Sequence, residues 1–198
     1  MNKTFTMRRT LSFGLAAVAI LALTAACGGG DMDGMDHGGD GESSAGGDFN
    51  DVDVQFAQMM IPHHEQAVEM ATLAETRASD PEVVDLAAQI KAAQDPEIET
   101  MTGWLDAWGE PVEMEGHDGM DMNGMATDEE MAELEAAEGA AFDALFVHHM
   151  ITHHQGAITM AEEEIAEGEN AEAKALAAAI AETQAEEVTT LEAIMARL

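Results

Sequence analysis

The sequence predicts an all-α protein, a four-helix bundle built from two copies of a helical hairpin. Three observations carry this prediction. Alanine is abundant, tyrosine is absent and aromatic residues make up only 4% of the chain, a composition typical of helical proteins. Apolar residues recur at helical spacing in four long segments. Two of these segments are near copies of each other, ninety positions apart.

The repeated segment is built around a doubled histidine. It reads FAQMMIPHHEQAVEMA over residues 56–71 and FVHHMITHHQGAITMA over residues 146–161. The match continues downstream at the same offset, as in the pairs Leu86 and Leu176, Ile90 and Ile180, Gln94 and Gln184, and Glu97 and Glu187. Because each hairpin has an apolar stripe that it cannot bury alone, two hairpins packed face to face should form the bundle.

Residues 1–27 have the pattern of a targeting segment. Basic residues at the start precede an apolar run over residues 11–26, which is short for a membrane span and leads into Cys27. The segment resembles a bacterial lipoprotein signal, which implies that Cys27 carries palmitate and anchors the exported chain to the outer face of the cell membrane. Both the general and the twin-arginine export routes remain open.

Residues 28–49 are rich in Gly, Asp and Ser and are expected to form a disordered tether. Loss of the signal removes three of seven basic residues and no acidic one, so the formal charge moves from −33 to about −36. Such a surface repels nucleic acid, which excludes that class of partner. The same charge could gather cations or serve only solubility.

The first hairpin is expected over residues 50–109. A helix over about residues 50–78 is followed by a second with Asp80 as its N-cap and Pro81 at its first position. The second helix should run to Trp108 and stop at Gly109.

The second hairpin is expected over residues 127–198, after a Met-rich loop over residues 110–126. Thr127 and Glu130 form a capping box that opens a short helix. Gly139 should separate it from a long helix that ends near Gly168, and Asn170 caps the last helix.

The histidines and methionines share one face of each motif helix. On a helical wheel His63 and His153 point inward, whereas His64 and His154 lie at the edge of that face. Imidazole and thioether are borderline to soft ligands that suit Cu(I) and also Ag(I). Methionine on such a stripe is equally a core residue, but buried imidazoles need partners. The interior candidate ligands are Met60, His63, His64, Met70, His149, Met150, His153, His154 and Met160.

The loop between the hairpins supplies a second candidate set. Four methionines and one histidine recur there at short spacing, where core packing does not explain them. Thioethers carry no proton and bind Cu(I) in oxidising surroundings. A flexible linker is the alternative interpretation. The loop candidates are Met114, His117, Met120, Met122 and Met125.

The carboxylates argue against a di-iron centre, which requires Glu-x-x-His on two helices. No such motif occurs in this chain, and no nucleophile arrangement of a hydrolase is indicated. Glu97 and Glu187 occupy matched positions, so they could support the histidines. We expect them instead to be solvated or bonded to Gln94 and Gln184.

The windows MIPHHEQAVEMA and MITHHQGAITMA, each followed by a helix with a Gln-x-x-Glu pattern, resemble the bacterial domain-of-unknown-function family 305 over roughly residues 50–198. The resemblance implies an exported ferritin-like bundle, with copper binding in some members. His148 and His149 are additions of this chain. The positions that match the family pattern are Met60, His63, His64, Met70, Met150, His153, His154 and Met160.

Together these features predict an extracytoplasmic copper-binding protein that buffers, sequesters or hands on copper, with Cu(I) favoured, and that is not an enzyme. A copper-handling protein is the expected partner, and the oligomeric state is left open. Two alternatives remain: a metal-dependent oxidase of cuprous or ferrous ions, and a structural envelope lipoprotein without metal.

Overall fold

The computed structural model describes residues 48–114 and 124–198, and all of its regular elements in these ranges are helices. The prediction of an all-α fold is confirmed. The predicted signal, most of the predicted tether and the loop candidates His117, Met120 and Met122 lie outside the described residues. The helices are α1 (Asp51–Arg77), α2 (Pro81–Trp108), α3 (Asp128–Ala136), α4 (Ala140–Glu167) and α5 (Ala171–Met195).

The helix ends follow from capping chemistry. The Asp80 side chain accepts a hydrogen bond from the Glu82 N–H at the start of α2, ahead of Pro81 at the first helical position. Gly109 ends α2 with φ of 79°, a left-handed conformation that favours glycine. At the start of α3, Thr127 caps the first turn as predicted.

Residues just before Asn50 also contact the bundle. Phe49, which we expected in the tether, stacks on Trp108 with ring centroids 4.8 Å apart. The backbone carbonyl of Asp48 accepts a hydrogen bond from the Asn170 side chain at 3.3 Å. These contacts arise because an aromatic ring next to a helix start can close over the end of the core.

Helices α1 and α2 pack as one hairpin and α4 and α5 as the other, and the hairpins meet mainly through α1 and α4. Met60 of α1 shares an apolar cluster with Met160 of α4, whereas Met70 shares a second cluster with Met150. The two motif helices are therefore antiparallel. No helix in the described ranges has the length and apolar character needed to cross a membrane.

The turns inside the hairpins show the duplication at atomic detail. Asp143 of α4 accepts hydrogen bonds from the backbone N–H groups of Ser79 and Asp80, at 3.0 and 3.1 Å. The repeat counterpart of Asp143 is Asp53 of α1. It accepts hydrogen bonds from the backbone N–H groups of Glu169 and Asn170, which are the repeat counterparts of Ser79 and Asp80. Each hairpin thus stabilises the turn of the other hairpin through hydrogen bonds to an equivalent aspartate.

Candidate metal centre

Four histidines form a polar layer between the two apolar clusters, which lie towards opposite ends of the bundle. His63, His64, His153 and His154 are all 0% exposed. The rings of His63 and His153 are in contact across the interface of α1 and α4, with centroids 3.7 Å apart and planes tilted by 41°. The inward placement of these two side chains agrees with the helical wheel. We call the four residues the histidine layer.

The outer two histidines are held by carboxylates. His64 Nε2 lies 2.8 Å from Oε2 of Glu97 on α2. His154 Nε2 lies at the same distance from Oε2 of Glu187 on α5, with a less favourable alignment for a hydrogen bond. The expectation that these glutamates are solvated or bonded to glutamines was wrong, because His64 and His154 turn inwards from the helix edge. A carboxylate on one ring nitrogen orients the other towards a metal ion.

The layer has more polar atoms than hydrogen bonds. Among the described residues, Nδ1 of His64 and Nδ1 of His154 have no hydrogen-bond partner. The same holds for both amide atoms of Gln94 and for the amide oxygen of Gln184. Each buried polar atom without a partner lowers the free energy of unfolding by about 1–3 kcal/mol. A layer that contains several such atoms therefore indicates a functional site rather than a contribution to stability.

His153 is the most strongly perturbed member of the layer. Burial is the main cause that holds its pKa well below the ordinary value, and positive charge on His63, His154 or His64 would act in the same direction. A backbone contact with His63 opposes these effects weakly. His153 is therefore neutral at physiological pH, the form in which imidazole coordinates metals.

The four methionines of the motif helices flank the layer. Met60 and Met160 belong to the apolar cluster on one side of it, and Met70 and Met150 to the cluster on the other. All four are buried, as core residues are. Within the described ranges, no three His, Cys, Asp or Glu side chains lie close enough together to hold a metal ion. The structure thus brings the predicted imidazoles together without forming a closed coordination shell.

His149 lies apart from the layer's four rings, one turn earlier on α4. It is 8% exposed, whereas its neighbour His148 is exposed, and their ring centroids are 5.4 Å apart. Burial lowers the pKa of His149, while the negative charge of Glu130 on α3 acts to raise it. His149 therefore faces α3 as well as the bundle.

The two ends of the Met-rich loop are fixed to the motif helices. Gln58 of α1 donates to the carbonyl of Pro111 at 2.7 Å. Near the other end, Gln66 exchanges two hydrogen bonds of 2.8 Å with the backbone of Ala126. Met114 and Met125, the loop candidates that the structure describes, are half-buried.

The loop's second end also packs against α4. A Cβ at Gly124 would come within 2.4 Å of the Thr152 carbonyl and 3.1 Å of the Gly156 Cα, so only glycine fits there. Gly156 is the repeat counterpart of Gln66, and each follows the inward histidine of its motif by three positions. The segment 124–126 therefore lies across both motif helices near His63 and His153.

A buried pair of acidic residues at one end of the bundle was not predicted from the sequence. Glu164 is 0% exposed and lies beside Asp53. Burial, together with the Asp53 carboxyl, raises the pKa of Glu164 to about 8, although Lys174 acts to lower it. Burial would raise the pKa of Asp53 as well, but backbone N–H donors outweigh that effect and lower it. The sequence feature that could have predicted this pair is a mismatch in the repeat, where Glu164 corresponds to Ala74.

Comparison with known families identifies the fold. The family described as "Domain of unknown function (DUF305)" matches residues 53–195. The chain belongs to this family. The resemblance noted in the sequence is thereby confirmed, and the family's solved members confirm the helical fold class. A comparison with curated proteins found no significant match.

Several solved structures are similar to this chain over most of their length. A candidate secreted DUF305 protein from Streptomyces coelicolor is 34% identical, with a TM-score of 0.70, covering 74% of this chain and 93% of its own. A DUF305 fragment from Deinococcus radiodurans is 33% identical, with a TM-score of 0.69 and coverages of 75% and 98%.

The protein CopM has been solved in several metal-bound forms. Its Cu(II)-bound form is 34% identical to this chain, with a TM-score of 0.64, covering 73% of this chain and 96% of CopM. Cu(I)-bound and silver-bound forms of CopM are also similar, at 33% and 32% identity.

Proposed function

We propose that this protein binds copper outside the cytoplasm and buffers, sequesters or hands on the ion. The observation that carries the proposal is the histidine layer, in which two contacting imidazoles are flanked by two more that lie against carboxylates. The metal-bound forms of CopM and the candidate secreted relative support it.

The chemistry of the layer suits a soft or borderline ion. Neutral imidazole and thioether bind Cu(I), and the same donors accept Ag(I). The rings of His63 and His153 are in contact across the interface of α1 and α4. An ion held between these two helices would bind one ring nitrogen of each imidazole.

The methionines would extend the site in two directions. Met60 and Met160 lie on one side of the layer and Met70 and Met150 on the other, so each pair could serve as the next stop for an ion that leaves the imidazoles. His149 would add a ligand one turn before His153.

The Met-rich loop would capture ions at the surface. Its end at Ala126 is fixed to Gln66, close to the layer, so captured Cu(I) would have a short distance to travel. In the same proposal Cys27 carries the lipid that anchors the chain to the membrane, and a copper-handling protein receives or delivers the ion.

Competition for Cu(I) against a chelator of known affinity tests the proposal. The wild-type protein should compete at micromolar free Cu(I) or below. Leucine at His63 and His153 should remove the tighter class of site, whereas leucine at Met114, Met120, Met122 and Met125 should lower only the number of ions bound. Silver should follow copper in each case. Wild-type protein that binds no copper in this range would overturn the proposal.

A further inference from the structure

Glu164 breaks the internal symmetry of the molecule. Its repeat counterpart is Ala74, which is buried in an apolar cluster, as the duplication would predict for both halves. Gly168 breaks the symmetry in the same place, because its counterpart is Ala78. A Cβ at Gly168 would lie 2.2 Å from Oε1 of Glu164, so the glycine makes room for this carboxyl group. The two departures from the repeat are therefore coupled.

The group that lies directly beside Glu164 is a second carboxyl, whereas the nearby Lys174 ammonium donates its hydrogen bond to the carbonyl of Gly168. Neither carboxylate oxygen of Glu164 has a hydrogen-bond donor among the described residues. The neighbouring Asp53 is occupied by three backbone N–H groups, those of Asn50, Glu169 and Asn170. The two carboxyl groups can bond each other only by sharing a proton, and a cation satisfies the same oxygens instead.

Glu164 also lines a cavity of about 80 Å³ between α1 and α4. This volume has room for an ion with a few water molecules. The exposed Glu163 lies on the same cavity and gives it a second carboxylate, and Gln55 adds an amide oxygen. The site is eleven residues from His153, or about 16 Å along α4, so it is separate from the histidine layer.

We propose that this cavity is a second cation site, in which the carboxylates of Glu164 and Glu163 hold a hydrated divalent cation. Calcium prefers six to eight oxygen ligands, more than two carboxylates and one amide provide. A smaller ion of the Mg²⁺ or Mn²⁺ type, which keeps several waters and binds through one or two carboxylates, fits this donor set. A cation here would join the start of α1 to the end of α4.

Mn²⁺ is the probe of choice, because electron paramagnetic resonance counts the free ion directly and imidazole–thioether sites bind it weakly. The wild-type chain should bind one Mn²⁺ in a class tighter than its exposed carboxylates, and Mg²⁺ should compete. Glu164→Ala recreates the residue found in the other half of the repeat, and it should abolish this class. Glu162→Ala, the loss of an exposed acid on the same helix, is the matched control and should preserve it.

Two further measurements keep the result decisive. Glu164→Gln retains the shape of the side chain and should also lose the tight class, so a folding defect in the alanine variant would not hide the answer. Cu(I) binding by both Glu164 variants should match the wild type, which separates this site from the proposed copper function. Retention of the tight Mn²⁺ class in the glutamine variant, or loss of Cu(I) binding instead of Mn²⁺ binding in that variant, would overturn the proposal.

Discussion

At the scale of single residues, the outer two imidazoles of the histidine layer each lie against a carboxylate from the other helix of their hairpin. Glu97 holds His64 and Glu187 holds His154, each at 2.8 Å. Partners of this kind fix ring orientation and raise the basicity of a metal-binding histidine. The two glutamates are partly exposed, at 20% and 12%, so they can be changed without opening the core.

The first prediction follows from these pairs. Replacing Glu97 and Glu187 together by glutamine should weaken Cu(I) binding about 10- to 100-fold, because the rings lose the charge that orients them. Chelator competition measures the change, and circular dichroism checks the fold. Glu99→Gln, a change at an exposed position of the same helix, should leave the affinity unaltered. Equal affinities in all three proteins would show that the glutamates do not position the ligands.

A second prediction concerns Glu164 and pH. Its pKa of about 8 in the folded state lies above the ordinary 4.5, so between these values the folded protein holds a proton that the unfolded chain has released. The free energy of unfolding should therefore fall as pH rises from 5 to 8, by up to about 1.4 kcal/mol per pH unit from this group. Asp53 contributes in a different range, because its lowered pKa matters only in acid.

Urea denaturation in chelator-containing buffers measures this effect. Subtracting the free energy of unfolding of the wild type from that of Glu164→Gln removes the contribution that the other carboxylates make to both proteins. As pH rises towards about 8, this difference should increase, because only the wild type loses stability from Glu164. A difference that stays constant from pH 5 to 8 would contradict a buried protonated Glu164.

The residues that sequence reasoning misplaced share a physical cause. A helical wheel treats one helix alone, so it set His64 and His154 at the edge of a face that the neighbouring helix in fact buries. Their glutamate partners come from α2 and α5, and such pairings depend on how the hairpins pack. The inward direction of His63 and His153 was predictable, because their own helix period determines it.

At the scale of elements, the most consequential contact is the one that fixes the end of the Met-rich loop. Gln66 exchanges two hydrogen bonds with Ala126, and Gly124 meets α4 at Thr152 and Gly156. Gln66 and Gly156 occupy equivalent positions of the repeat. The Gln66 side chain forms hydrogen bonds with the end of the loop, whereas Gly156, which has no side chain, leaves space for the loop to pack against α4.

Replacing Gln66 by alanine is the third prediction. Loss of both hydrogen bonds should lower the free energy of unfolding by about 1–2 kcal/mol and speed hydrogen exchange at the Ala126 amide. Gln89→Ala is the control, because that exposed side chain donates to the carbonyl of Asp85 within its own helix. If exchange at Ala126 is unchanged, the loop end is held by the Gly124 contact rather than by Gln66.

Helix ends were the part of the fold that the sequence predicted best. Asp80, Thr127 and Asn170 cap the helices that they were expected to open. Capping is local chemistry between residues two or three apart, so it can be recognised without the fold. The ordering of Phe49 was missed because its stacking partner, Trp108, lies at the far end of α2.

At the scale of the whole molecule, the histidine layer divides one core into two apolar clusters. Each cluster contains residues from both hairpins, so the fold does not depend on the layer for its contacts. The layer instead adds buried polar atoms that have no hydrogen-bond partner among the described residues, such as Nδ1 of His64 and Nδ1 of His154. Under the proposed function, copper bound in the layer would offset part of the stability that these buried atoms cost.

The last prediction follows from that balance. An ion that binds only the folded state at a free concentration 100 times its dissociation constant adds about 2.7 kcal/mol to the free energy of unfolding. For a chain of this size, that corresponds to a rise of roughly 5–11 °C in the melting temperature.

The variant with leucine at His63 and His153 should remain helical, because the flanking clusters are intact, and its melting temperature should show no such rise with Cu(I). The variant with leucine at the four loop methionines should keep most of it. Calorimetry with and without Cu(I) compares the three proteins, and an equal rise in the histidine variant would place the stabilising ion outside the layer.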